Sequence, residues 1–179
     1  MGNFIKEHSY DAVKMFLNQF AIGIFGFSLA LACGKAENRT LRLITSIVAI
    51  VFYLFLIYTM LWELGSKDKI PVEYGRKRRI PLTGLYIALM AGVVNYLLAI
   101  GITIGSSVGG VCTFLSGLLQ GMYLGVLSMR IGGVALNTHV FLYYLIPLPA
   151  ILTATVAYLF GLYDIRLLRT PNNNNKTDK

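Results

Sequence analysis

Asn95, Gln120, His139 and Tyr143 are the side chains of this sequence best suited to hold something inside a bilayer, and Gly117, Gly121 and Gly125 recur among them every four residues. A carboxamide in hydrocarbon needs a hydrogen-bonding partner, so Asn95 and Gln120 are expected to face other helices. Small residues at four-residue spacing let helix backbones approach closely. Thr113, Ser116, Gln120 and Ser128 fall on or beside the glycine face, and Phe114, Leu115, Leu118, Leu119 and Met122 lie mainly opposite. Residues 111–129 therefore read as one helix whose glycine face packs within the bundle, an oligomer interface being the alternative, with Gln120 hydrogen-bonded there. Asn95, Gln120, His139 and the Tyr143 carbonyl would form a ligand cavity if they converge. A closed bundle would instead favour a packing role.

Other chemistry is sparse. Intramembrane enzymes and pumps carry ionisable residues within their spans, and the uncharged stretches hold only His139. There is no His-Glu-x-x-His pair, no phosphate-binding glycine loop followed by Lys and Ser or Thr, and no nucleophile elbow. Glu63 is the carboxylate nearest a span, and its spacing to Lys67 reads as an i,i+4 ion pair. Two cysteines and two histidines give no metal-ligand set. Cys33 and Cys112 both fall near the outer surface, where a bridge is open but not derivable from sequence. No catalytic residue, metal or cofactor is expected, and the chain reads as a non-enzyme.

The elements that must position these residues follow from where charge is missing. Only 13% of the 179 residues are charged and 56% are hydrophobic, against about 25% charged in a soluble domain. Uncharged runs cover 15–33, 43–62, 80–129 and, with His139 neutral, 131–163. Crossing a hydrocarbon core of about 30 Å takes about 20 apolar residues in a helix. Only helices are plausible here, because backbone groups in lipid must be satisfied within the segment and the runs lack the alternation of a barrel. The expected fold is all-α: a polytopic transmembrane bundle in one domain, residues 1–170. Its spans are about 15–33, 43–64, 82–104 and 140–162, with a glycine-rich membrane-embedded or re-entrant helix at about 108–129. Five spans is the alternative. Gly65 reads as a helix stop, 67–81 as a compact polar loop broken by Pro71, Gly75 and Pro81, and Pro147 with Pro149 as a kink or a late helix start. Residues 171–179, with four consecutive Asn, read as a disordered tail.

Basic residues orient the chain. Four spans with both ends inside put 12 Lys and Arg on the cytoplasmic side and 4 outside; five spans give 9 against 7. The bias favours four spans and cytoplasmic termini. Arg76, Lys77, Arg78 and Arg79 read as a cytoplasmic basic anchor that attracts anionic lipid, at about 1 kcal/mol per residue near the surface. Nucleic-acid binding is not expected, since no aromatic interleaving or reader motif accompanies the cluster.

Trp62-Glu63-Leu64-Gly65-Ser66-Lys67-Asp68-Lys69-Ile70, the later Gly75-Arg76, and Ile146-Pro147-Leu148-Pro149-Ala150 resemble segments of an uncharacterised family of small polytopic membrane proteins of Gram-positive bacteria. The resemblance covers about 62–162. It implies a bacterial plasma membrane and a shared fold, and no activity. The expectation is a multi-pass, non-enzymatic subunit in the lipid bilayer, packing as a homo-oligomer or with a larger membrane protein. The alternative is a solute-binding membrane subunit of a transporter.

Overall fold

A computed structural model describes residues 2–35, 39–76, 78–131 and 134–165. Lys77 of the basic cluster and the tail 171–179 lie outside the described residues. Helices α1 (Gly2–Lys35), α2 (Arg39–Glu73) and α3 (Thr83–Ile104) alternate in direction. Then follow α4 (Ser106–Leu119), a 3-10 turn Gly121–Tyr123, and α5 (Leu124–Leu127). Strands β1 (Arg130–Ile131) and β2 (Val134–Ala135) pair antiparallel, Arg130 opposite Ala135. A 3-10 turn, Leu136–Thr138, leads to α6 (Phe141–Leu145) and α7 (Leu148–Leu162). The all-α bundle expected from the sequence is the fold. Among the described residues, four helical stretches are long and apolar enough to cross a membrane: Phe4–Gly34, Arg39–Glu73, Thr83–Ile104 and Phe141–Leu162.

At 1.5 Å per residue the 34 residues of α1 and 35 of α2 reach about 50 Å, well beyond a hydrocarbon core of about 30 Å. Both overshoot the expected span limits. On α1 one stripe is buried throughout: His8, Ala12, Met15, Gln19, Gly23, Gly26, Ala30 and Cys33. Alternate steps of three and four residues keep such a stripe on a single face. The rest of α1 is apolar and exposed, as at Leu17, Phe25 and Leu31; in a bilayer that surface meets lipid.

The first part of the expected loop 67–81, residues 67–73, is helix. α2 continues through Gly65 to Glu73 and carries Pro71 inside its end. Ion pairs Glu63–Lys67 (2.7 Å) and Lys69–Glu73 (3.9 Å) bind successive turns together. Gly65 is not a stop; it is a crossing point. A Cβ there would strike the Tyr158 carbonyl oxygen, and one at Gly161 would strike that of Trp62. Missing side chains thus bring α2 and α7 together at backbone distance, and their packing is the most extensive in the bundle. Tyr158 donates to the buried Asp68 carboxylate (2.9 Å), and Trp62 Nε1 donates to the Ile165 carbonyl (3.1 Å).

Residues 111–129 do not form one helix. The chain bends by 85° at Gln120. Contacts show where each limb goes. Cys112 lies against Gly101 near the end of α3, Gly121 against Gly23 midway along α1, and Gly125 against the Arg42 carbonyl in the first turn of α2. Segment 106–128 therefore enters and leaves at the same end of the bundle, as a re-entrant hairpin. Ser46 of α2 serves the bend: its hydroxyl donates to the Met122 carbonyl and accepts from the Gly125 N–H (2.9 Å). Those backbone groups would otherwise lie unpaired in a region without water. At the last span, α6 ends before Pro147, and Pro149 sits in the first turn of α7, where a missing N–H is tolerated.

Candidate functional site

The apex of the hairpin meets the middle of α1 and α3 in a cluster of carboxamides. Asn95 Nδ2 donates to Gln19 Oε1 (3.0 Å), and Gln19 Nε2 donates back to Asn95 Oδ1 (2.9 Å). Gln120 Nε2 donates to the same Oδ1 (3.3 Å), and the Ser116 hydroxyl donates to Gln120 Oε1 (3.1 Å). All four residues are at most 6% exposed. Asn95 Oδ1 uses both lone pairs, so Asn95 is the hub joining three elements. Each bond is modest in a membrane, about 0.6 kcal/mol on average. Breaking one side is worse than that figure, because the stranded partner is left in low dielectric.

The sequence brought Asn95 and Gln120 into view and missed Gln19. The signal was present: Gln19 is an amide inside the uncharged run 15–33 and, like Asn95, needs a partner there. Gly121 and Gly125 pack against α1 and α2, each with backbone atoms where a Cβ would go. Gly117 does not share that role. Nothing lies within 4 Å of a Cβ built there, because the bend turns the four-residue stripe away from a common face. Both cysteines are free; Cys33 Sγ sits 3.9 Å from Thr45 Oγ1.

The four candidate cavity residues do not line one space, although Asn95 is bonded to Gln120 and Gln120 borders a cavity with Tyr143. His139 is exposed in the loop before α6. Asn95 borders a space of only about 10 Å³, with Gln19, Tyr53 and Tyr123, enough for about one water. Gln120 and Tyr143 share a different cavity of about 130 Å³, bordered also by Arg42, Ser116, Gly117, Ser128 and Asn137. This is well below the roughly 300–1,000 Å³ of a common small-molecule site. At the opposite end of the bundle, Arg79 lies over the Tyr163 ring (5.3 Å) and Arg76 beside that of Tyr74 (6.0 Å). Arg78 and Arg79 edge an apolar groove of about 650 Å³ lined by Phe4, Ile5, Tyr86, Leu89, Met90 and Val93.

Four long apolar helices around a small polar centre define a multi-pass helical membrane protein. No protein family, curated protein or solved structure matches the chain.

Proposed function

We propose that this protein is a non-catalytic subunit of a bacterial plasma membrane, packing with itself or with a larger membrane partner. The observation that carries this reading is the closed centre: Gln19, Asn95, Gln120 and Ser116 satisfy one another. A bundle built to pass a solute would leave such groups facing a pathway. Native mass spectrometry from mild detergent is expected to show assemblies heavier than one chain. A lone monomer that drives solute uptake into reconstituted vesicles would overturn the subunit reading in favour of a solute-binding transporter component. That second reading has one observation in its favour, the cavity shared by Gln120, Tyr143 and Arg42.

Both termini are assigned to the cytoplasm. The start of α1 and the end of α7 share one end of the bundle with Lys67, Lys69, Arg76, Arg78 and Arg79, while Arg39, Arg42 and Arg130 mark the other. A carboxy-terminal fluorescent protein that matures only inside should glow, and a phosphatase active only outside should stay silent. The reverse pattern would overturn the orientation.

The basic end is also assigned to anionic lipid. Tyr86, Leu89, Met90 and Val93 follow i, i+3, i+4, i+7 along α3 and offer an acyl chain a groove, with Arg78 and Arg79 at its edge for the phosphate. Replacing both arginines by Gln should weaken retention of phosphatidylglycerol by roughly thirty-fold, at about 1 kcal/mol each. Retention of phosphatidylcholine should not change. Equal loss of both lipids would mean the groove holds tails without reading the headgroup.

A further inference from the structure

We propose that the cavity beside Arg42 is an oxyanion site, taking a carboxylate or phosphate group at the end of the bundle where α2 begins. Its volume is about 130 Å³. A dry cavity of about 150 Å³ accepts benzene, so this one suits a group of about six non-hydrogen atoms. Arg42 Nε is buried and has no hydrogen-bond partner among the described residues. Arg42 as a whole is half-buried, and a buried N–H without an acceptor carries a desolvation cost.

Among the described residues that border the cavity there is no carboxylate to supply the missing negative charge. The acidic side chains of the described residues belong to the first turns of α1, the last turns of α2 and the stretch after α7, all at the other end. What the wall offers is donors. Ser128 directs its hydroxyl proton to the Gly125 carbonyl (2.8 Å) and Thr113 to that of Gly109 (2.8 Å). Arg42, the Asn137 amide, the Tyr143 hydroxyl and the second N–H of Gln120 remain. An oxyanion is acceptor-only and matches that set, and its bonds to a guanidinium are of the stronger, charge-assisted kind. Gly117 borders the cavity and has open space where a Cβ would stand, so a long side chain there has room to fill it. The site goes beyond the subunit reading and stands without it; its failure leaves the closed amide centre as it is.

A free anion and a lipid headgroup share this chemistry, and one titration separates them. Thermal unfolding of the full chain in non-ionic detergent would be followed at fixed ionic strength against inorganic phosphate, acetate, dioctanoyl phosphatidylglycerol and dioctanoyl phosphatidylcholine. At least one anionic probe should raise the unfolding temperature saturably, as ligand linkage requires, and phosphatidylcholine should not. Arg42→Gln should weaken that apparent affinity at least ten-fold. Gly117→Leu, which fills the cavity and keeps the arginine, should do the same, so the inference does not depend on Arg42→Gln folding well. Stabilisation by phosphate or acetate assigns a soluble anion. Stabilisation by phosphatidylglycerol alone, abolished by Gly117→Leu, assigns a headgroup. No response to any anionic probe would overturn the site. So would a response that survives Gly117→Leu; a surviving phosphatidylglycerol response would belong to Arg78 and Arg79.

Discussion

Gly121→Leu should prevent the bundle from assembling, whereas Gly117→Ala, four residues earlier and on the other limb of the bend, should hold or raise stability. A Cβ at 121 would strike the Gly23 carbonyl oxygen and come within 2.6 Å of Phe27 N and 2.7 Å of Phe27 Cβ. Two of these are backbone atoms of α1 and cannot rotate aside. Relief would mean pulling the hairpin apex away from α1, which also strains the Gln120–Asn95 bond. The loss should exceed the roughly 1–3 kcal/mol of ordinary overpacking. At 117 the added methyl meets nothing, and the helix gains up to about 1 kcal/mol of propensity on the aqueous scale. Equilibrium unfolding in mixed micelles with increasing SDS checks both. Equal midpoints for the two variants would mean the hairpin does not pack as described.

The second large effect concerns the amides, and it is an effect of incompleteness. Asn95→Leu removes the acceptor shared by Gln19 and Gln120, together with the donor to Gln19. Two amides remain buried with unmet groups, each costing about 1–3 kcal/mol. The single variant should lose about 3 kcal/mol or more. Replacing Gln19, Asn95 and Gln120 together by Leu removes every stranded partner at similar shape, and the triple variant should recover most of the loss. The Ser116 hydroxyl, freed from Gln120, can turn to its own helix carbonyls. The comparison is a coupling measurement. If the triple variant costs the sum of the three singles, the amides act independently.

Composition and the placement of charge were enough to read the helical class, the four long apolar helices and two of the three amides that need partners, Asn95 and Gln120, because a bilayer leaves a chain few options. What escaped the sequence came from glycine, which carries no sign of its use. Gly65 reads as a helix stop, and only the presence of Gly161 and Tyr158 opposite makes it a seam. Gly117, Gly121 and Gly125 share one face only if the helix is continuous, and the bend at Gln120 depends on Ser46, 76 residues from the Met122 carbonyl it bonds. The helical end of α2 was hidden by Pro71, which reads as a breaker but falls where few further helical bonds are lost. The cavity beside Arg42 was beyond reach because its wall draws on α2, α4, α5, the loop after β2 and α6.

The hairpin's partners have an order in time as well as in space. Gly23, Gly26, Arg42, Ser46 and Asn95, which receive its apex and its return limb, all precede it in the chain. During synthesis from the amino terminus, α1, α2 and α3 leave the ribosome first, so the slot exists before the segment that fills it. Segment 106–128 has no need to wait as a half-inserted loop with unpaired carbonyls. The last span then arrives against α2 and α3, closing a seam of small residues over a polar centre already formed. A circular permutant that starts at residue 106 loses this schedule, and it is the arrangement in which the insertion machinery would meet the hairpin before Gly23, Ser46 and Asn95 exist to receive it.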